Sequence, residues 1–248
     1  MQRANPTPRK RFYTTAQAAP AEEGYHILLD GRTLKTPASN PLMVPYPALA
    51  QAIAEEWAGQ GDILMLDTLA LTKLANTAID GVSPDPASVV EEITRYGASD
   101  AVCYRAASPQ SLGAAQERAW KPVIEWAGAV LGTAPNATAG VTFCEQPAAY
   151  VGALREHVSR LDPFRLTALH TLTVLSGSAL IALMHTAGRL DRAQAWAAAH
   201  IDEDWQIAQW GEDYEARRRR ERRFEEFAAA SRFHALACDT ETRSVTAP

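Results

Sequence analysis

Two prolines, Pro84 and Pro86, mark a boundary in the sequence. Before them lie short runs in which apolar residues alternate with other residues, which is typical of half-buried β-strands, and two short segments with helix-like apolar stripes. After them, apolar residues recur every three or four positions, which is typical of amphipathic helices. The sequence therefore predicts an α+β protein, with a small antiparallel β-rich N-terminal domain (residues 1–83) and a larger, mostly α-helical C-terminal domain (residues 84–248).

The N-terminal domain is predicted from a strand and a turn signal. The segment Tyr25–Leu29 alternates, and the dipeptide Asp30-Gly31 after it favours a two-residue type I′ hairpin turn. Further short strands are expected at Arg11–Tyr13, Arg32–Thr36 and Leu42–Val44. Because a sheet this small needs cover, we expect a helix that begins at Pro47 and a second helix over Leu69–Ile79 to pack on it.

The segment from Leu190 to Arg223 is predicted as one long helix. It is rich in alanine, contains no proline, and carries acids early and arginines late, which suits the helix dipole. Gly211 lies inside it and costs about 1 kcal/mol relative to alanine, so a close approach or a bend is expected there.

The most apolar segment, Leu166–Met184, is predicted as a buried core helix. It carries too many hydroxyl and histidine side chains for a membrane span, so no membrane insertion is expected. The small residues Ser176, Gly177 and Ser178 are expected to let another helix pack closely.

Proline and polar residues predict an interrupted helix and two irregular chain ends. Pro122 should kink or break a helix predicted over Ser111–Leu131. Residues 1–11 read as a flexible arm, and the tail from Asp239 as a frayed end.

No motif indicates an active site. The sequence contains neither a GxxxxGK[ST] nor a GxGxxG phosphate-binding loop, and no cofactor is expected. Cys103, Cys144 and Cys238 lack zinc spacing, which predicts free thiols. The acids of Asp202–Asp204 point in different directions on a helix, which disfavours a cation site.

Two alternative functions remain open from the residues alone. A hydrolase would combine an acidic residue of the long helix with a histidine. A nucleic-acid binder would use the basic run Arg217–Arg223, whose side chains would project all round a helix. The net charge of −5 disfavours nucleic acid as a partner.

Several phrases, taken together and in order, resemble one family, the assembly chaperone of F-type ATP synthase that holds the alpha subunit of the catalytic head. The resemblance extends over roughly residues 11–230. The phrases are Leu29-Asp30-Gly31-Arg32, Leu34-Lys35-Thr36-Pro37, Asn40-Pro41-Leu42, Ala54-Glu55-Glu56-Trp57, Leu71–Asp80, Asp100 with Cys103-Tyr104-Arg105-Ala106, Ser176-Gly177-Ser178, and Trp210-Gly211-Glu212-Asp213 with Glu215-Ala216.

The resemblance implies a non-enzymatic function. Such a chaperone binds the free ATP synthase alpha subunit, shields its interface, and is displaced when the beta subunit replaces it. Without a recognisable transit peptide the chain resembles an alphaproteobacterial member, so a cytoplasmic location is expected, or the mitochondrial matrix in a eukaryote. We expect the free protein to be a monomer.

The candidate partner-binding residues are Trp210, Glu212, Asp213 and Glu215. Glu212 has only alanines at i−4 and i+4, so no basic residue of its own helix is expected to pair with it at that spacing. The resemblance points to the same acidic motif as important for action. We therefore expect Glu212 to be free to meet an arginine or lysine of the partner.

Overall fold

The structure, a computed structural model, describes residues 9–238. The chain divides into two compact units. The first comprises residues up to Gly81 together with those from Ala235 onward, and the second comprises Val82–His234. The arm predicted over residues 1–11 lies mostly outside the described residues, and the tail from Asp239 lies wholly outside them.

The first unit contains a four-stranded antiparallel sheet. Its strands are β1 (Ala16–Ala21), β2 (Gly24–Leu29), β3 (Arg32–Thr33) and β4 (Met43–Val44). The strand β2 is central and pairs with the other three. Leu29 faces Arg32 across the hairpin, and the two turn residues, Asp30 and Gly31, have φ values of 47° and 77°. Because a type I′ turn needs positive φ at both positions, the predicted hairpin is confirmed.

The predicted first strand at Arg11–Tyr13 is wrong. The strand begins at Ala16, and near the predicted position Lys10 forms only an isolated bridge with Ile63. The sequence of β1 is AQAAPA, and alanine and proline are both depleted in strands. Pairing with β2 along all six residues outweighs this weak local preference.

The Asp30 carboxylate joins the hairpin turn to the start of the sheet. It accepts hydrogen bonds from the backbone N–H groups of Thr14 and Thr15 at 2.8–3.1 Å and from both threonine hydroxyls. These bonds, led by the N–H of Thr15, lower the pKa of Asp30 to about 2. The residue that forms the turn therefore also holds the segment before β1.

Two helices follow the sheet. The helix α1 (Pro47–Ala58) has its proline in the first turn and packs on β1 and β2, as predicted. The helix α2 (Ala70–Thr77) packs on α1. The two oxygens of Glu56 accept the N–H groups of Leu71 and Thr72 at 2.7 and 2.9 Å. A carboxylate on α1 thus satisfies unpaired donors at the N-terminus of α2.

The second unit is mostly helical, which confirms the predicted fold class. Its elements are α3 (Pro86–Ala98), β5 (Tyr104–Arg105), α4 (Gln110–Leu131), β6 (Thr138–Ala139), α5 (Ala148–Ser159), α6 (Pro163–Ser176), α7 (Ala179–Thr186), α8 (Arg192–Ala199), α9 (Ile201–Trp210) and most of α10 (Tyr214–Cys238), whose end from Ala235 belongs to the first unit. The helix α4 continues through Pro122 without a break. Within residues 9–238, no helix combines the length and the apolar character that a membrane crossing requires.

The single buried helix predicted over Leu166–Met184 is wrong. The structure has two helices there, and Gly177 between them has a φ of 69°. Gly177 is exposed, and a Cβ added to it would meet no atom within 4 Å. The predicted close helix contact at Gly177 is therefore also wrong. Glycine is favoured here for the left-handed turn that ends α6, and the Ser178 hydroxyl caps α7 by accepting the N–H of Ile181 at 3.0 Å.

A fully buried carboxylate, that of Asp100, sits at the start of α7. It accepts the N–H of Val102 at 3.2 Å and that of Leu180 at 3.0 Å, and the Ser178 hydroxyl bonds to it as well. Burial nevertheless raises the pKa of Asp100 to about 6. The central helix α7, which packs on α3, α4, α6 and α8, is thus tied to the chain segment between α3 and α4.

The hairpin turn generates the first prediction. Gly31→Val should lower the free energy of unfolding by at least about 1–2 kcal/mol, because an L-residue resists positive φ and a β-branched one resists it most. Urea unfolding checks this value. Gly61→Val is the matched control, since Gly61 is also exposed, has open space around it and lacks a positive φ. Equal losses in the two variants would contradict the turn argument.

The buried carboxylate generates the second prediction. Because the folded pKa of Asp100 lies above its ordinary value of 3.8, the folded state binds more protons between these two pH values. The contribution of protonated Asp100 to the free energy of unfolding is therefore fully present below pH 3.8. It is lost as the pH rises through about 6. We expect the wild type to lose about 3 kcal/mol relative to Asp100→Asn across this window.

Urea unfolding of both proteins at several pH values between 4 and 7.5 measures this difference. The informative quantity is its slope with pH, because the Asp100→Asn substitution also changes the local hydrogen bonds by a constant amount. A difference that does not change with pH would contradict the prediction.

Candidate functional site

The predicted long helix from Leu190 to Arg223 is broken into three helices, α8, α9 and α10. The second break is at Gly211, whose φ of 80° and ψ of 178° lie in a region open essentially to glycine alone. Asp213 then caps α10, its carboxylate accepting the N–H of Ala216 at 2.9 Å. The residues around this break, Trp210–Tyr214, are called the corner below.

Charges on the two sides of the corner pair with each other. Glu203 lies 4.0 Å from Arg223, and Asp204 forms an ion pair with Arg220. The acids of α9 and the arginines of α10 were predicted to lie along one helix axis, where they would favour the helix dipole. In the structure they instead fasten the two helices to each other, and each such exposed pair contributes up to about 1 kcal/mol.

His200, at the first break, is buried and fully engaged. Its Nδ1 donates to the carbonyl of Trp196 at 2.8 Å, and its Nε2 accepts from Arg223 at 3.1 Å. Burial lowers the pKa of His200, so the ring is neutral and carries its proton on Nδ1. The same Arg223 nitrogen donates to the carbonyl of Leu175 at 3.2 Å.

The remaining acid of α9, Asp202, faces away from α10. It accepts a hydrogen bond of 2.6 Å from the amide of Gln116 on α4, whose oxygen accepts the N–H of Ala106. Trp120 of α4 also donates to the carbonyl of Ala198 at 2.7 Å. The three consecutive acids of α9 thus point to different partners, and no group of residues within 9–238 has an arrangement that would hold a metal ion.

The corner exposes aromatic surface. The side chain of Trp210 is 74% exposed and that of Tyr214 is 68% exposed. The ring of Trp205 packs edge-to-face on Trp210, with 5.7 Å between centroids, and so supports it from the α9 side. A shallow groove of about 220 Å³ runs beside Trp210, and its lining includes Gly211, Glu212 and Asp213.

The structure brings three of the four predicted partner-binding residues, Trp210, Glu212 and Asp213, to this groove. Glu215 lines a neighbouring groove of about 300 Å³ instead. Glu212 is not free as expected, because its carboxylate lies 3.2 Å from the guanidinium of Arg217. This residue is at i+5, a spacing that a continuous helix does not bring together but the turn at Gly211 does.

Sequence reasoning missed Tyr214 as a candidate. Its signal is an aromatic residue within a strongly charged run, directly after Trp210–Asp213. An exposed aromatic ring with charged neighbours has the composition of an interface anchor.

Comparisons with known proteins agree with the fold. The family described as "ATP12 chaperone protein" matches residues 10–128. The structure of Atp12 from Paracoccus denitrificans is 38% identical, with a TM-score of 0.88, over 92% of this chain and 98% of that one. A mutant of the same P. denitrificans protein gives the same identity and TM-score, over 92% of this chain and 97% of that one.

A third solved structure, the Atu1473 protein from Agrobacterium tumefaciens, is 42% identical with a TM-score of 0.88. It is matched over 92% of this chain and 85% of its own length. The likeness therefore extends well beyond residue 128 and includes most of the helical unit.

Proposed function

Because the chain belongs to the ATP12 chaperone family, which acts in ATP synthase assembly, we propose that it binds the free alpha subunit of F-type ATP synthase. In this proposal it shields the subunit's interface until the beta subunit replaces it. The chaperone acts as a monomer, without cofactor or catalysis, in the bacterial cytoplasm or, in a eukaryote, in the mitochondrial matrix.

The observation that carries the proposed binding site is the exposed Trp210 at a braced corner. Tryptophan is enriched among residues that dominate binding energy, particularly where neighbouring contacts exclude water. Trp205 and the ion pairs between α9 and α10 hold this ring in place before binding. A partner that buries it therefore loses little conformational entropy in ordering the corner.

The acids around Trp210 supply the rim of this site. Glu212, Asp213 and Glu215 lie within four residues of one another on the chain. Polar rims around an apolar anchor set the register of an interface and steer association. A basic segment of the alpha subunit is the complement that such a rim selects.

The direct test is coexpression with the alpha subunit alone. We expect the alpha subunit to stay soluble and to co-purify with this protein, and to aggregate without it. Aggregation to the same extent with and without the chaperone would refute the proposed function.

Truncation of the anchor gives the third prediction. Trp210→Ala should weaken binding of the alpha subunit by about 2 kcal/mol or more, which is roughly thirtyfold. Phe143→Ala is the matched control, because Phe143 is 70% exposed but lies outside the corner. Titration of purified alpha subunit measures both affinities. A larger loss of affinity for Phe143→Ala than for Trp210→Ala would show that the binding site does not lie at the corner.

Charge reversal at Glu212 gives the fourth prediction. Glu212→Lys should leave the protein folded with only a small loss of thermal stability, because Arg217, the ion-pair partner of the half-buried Glu212, is exposed and such pairs contribute about 1 kcal/mol. The same variant should abolish support of ATP synthase assembly in a complementation assay, because the rim would then repel a basic segment.

The exchanged pair Glu212→Arg with Arg217→Glu separates a binding role from a structural one. It restores the ion pair with reversed polarity but leaves a cation at position 212. We expect it to remain defective in assembly. Full complementation by the exchanged pair would show that only the ion pair matters, and a variant that unfolds would assign Glu212 a structural role.

A further inference from the structure

The six arginines between Arg217 and Arg223 divide into two sets of three. Arg217, Arg220 and Arg223 are those that pair with Glu212, Asp204 and Glu203. The other three, Arg218, Arg219 and Arg222, are exposed on another face of α10. We call this second set the arginine stripe. Of the six arginines predicted to project all round the helix, three therefore form ion pairs with other residues of the protein.

The arginine stripe has no acidic partner among the described residues. None of its three guanidinium groups lies within 4.0 Å of a carboxylate of residues 9–238, although the chain carries 29 acidic residues against 24 basic ones. The stripe does contact an aromatic ring, since Arg218 lies 5.7 Å from the centroid of Tyr214.

The arginine stripe and Tyr214 together line a groove. The groove has a volume of about 300 Å³, and Glu215 is the remaining lining residue. On an α-helix the stripe spans positions i, i+1 and i+4, or about 6 Å along the axis. A stripe of this length can contact two or three neighbouring carboxylates of a peptide. It is far shorter than the stretch of phosphates that a nucleic-acid-binding surface usually contacts.

We propose that the arginine stripe, with Tyr214, binds an acidic segment of the client protein. Arginine binds carboxylates through paired N–H donors, and Tyr214 provides an apolar face beside them. A nucleic acid fits less well, because Glu221, Glu225 and Glu226 follow along α10 outside the lining of this groove and would repel an extended run of phosphates.

This site deepens the proposed function and rests on it. The acidic rim of the corner and the arginine stripe are successive on the chain and opposite in charge. A client that presents a basic segment to the rim and an acidic segment to the stripe binds in one orientation only, because the reversed orientation places like charges together.

The test compares two triple variants with equal changes in net charge. The stripe variant is Arg218→Glu, Arg219→Glu and Arg222→Glu. The control variant is Arg118→Glu, Arg189→Glu and Arg192→Glu, at exposed arginines elsewhere in the helical unit. Association with purified ATP synthase alpha subunit is measured at several salt concentrations. Circular dichroism and melting establish that both variants fold, and Arg→Gln at the same three stripe positions replaces the reversal if that variant does not fold.

We expect the stripe variant to associate on the order of tenfold more slowly than wild type, with a weaker dependence on salt. The control variant should keep most of the wild-type rate and salt dependence. Equal behaviour of the two triple variants would overturn the stripe proposal and leave the proposed function intact. Failure of wild type itself to bind the alpha subunit would overturn both.

A crosslinking experiment identifies the chemistry of the bound segment. With p-benzoylphenylalanine in place of Tyr214, irradiation of the full-length complex should link this position to an alpha-subunit peptide that contains neighbouring Asp or Glu residues. A linked peptide without acidic residues would overturn the proposal. So would binding of a 20-base-pair DNA duplex that the stripe variant loses while its association with the alpha subunit is unchanged.

Discussion

Carboxylates that accept backbone N–H groups hold this fold together. Asp30 binds the amides of Thr14 and Thr15, Glu56 those that begin α2, and Asp100 those of Val102 and of Leu180 at the start of α7. In each case one acidic side chain satisfies donors that a turn or a helix N-terminus would otherwise leave unpaired. The bonds of Asp30, of Glu56 and of Asp100 to Leu180 join segments at least 15 residues apart, so packing of the neighbouring elements depends on them.

This arrangement explains why so many of the phrases that carry the family resemblance contain an acidic residue. Asp80 is a further example, since its carboxylate accepts hydrogen bonds from Thr36, Ala38 and Asn40 and so fixes the turn before β4. Family likeness in these phrases therefore reflects how the chain folds. The last phrase, around Trp210, combines such a cap with an exposed tryptophan ring.

The corner between α9 and α10 shows how one charged run can serve two purposes. Folding α10 back at Gly211 brings its inward arginines onto the acids of α9, and this pairing braces the exposed Trp210. The outward arginines of the same run remain available at the surface. If this surface binds the client that we propose, its aromatic anchor and separate acidic and basic zones favour a single orientation of that client.

Local sequence determined the elements whose signals are self-contained. The Asp30-Gly31 turn and the first turn of α1 at Pro47 follow from backbone preferences alone. They were predictable because each depends on residues a few positions apart. The same reasoning placed Trp210, Glu212 and Asp213 near one another, since they are adjacent in sequence.

Tertiary structure decided the features that depend on distant partners. The strand β1 exists because β2 pairs with it, in spite of its alanines and Pro20. The helices predicted over Leu166–Met184 and Leu190–Arg223 break because Gly177 and Gly211 adopt positive φ values, and helix propensity alone does not distinguish a tolerated glycine from a terminating one. The pairing of Glu212 with Arg217 follows from that second break. The packing of α10 against the acids of α9 likewise decided which arginines of the run face inward. Ion pairs and hydrogen bonds between elements join residues far apart in sequence, and local periodicity does not encode them.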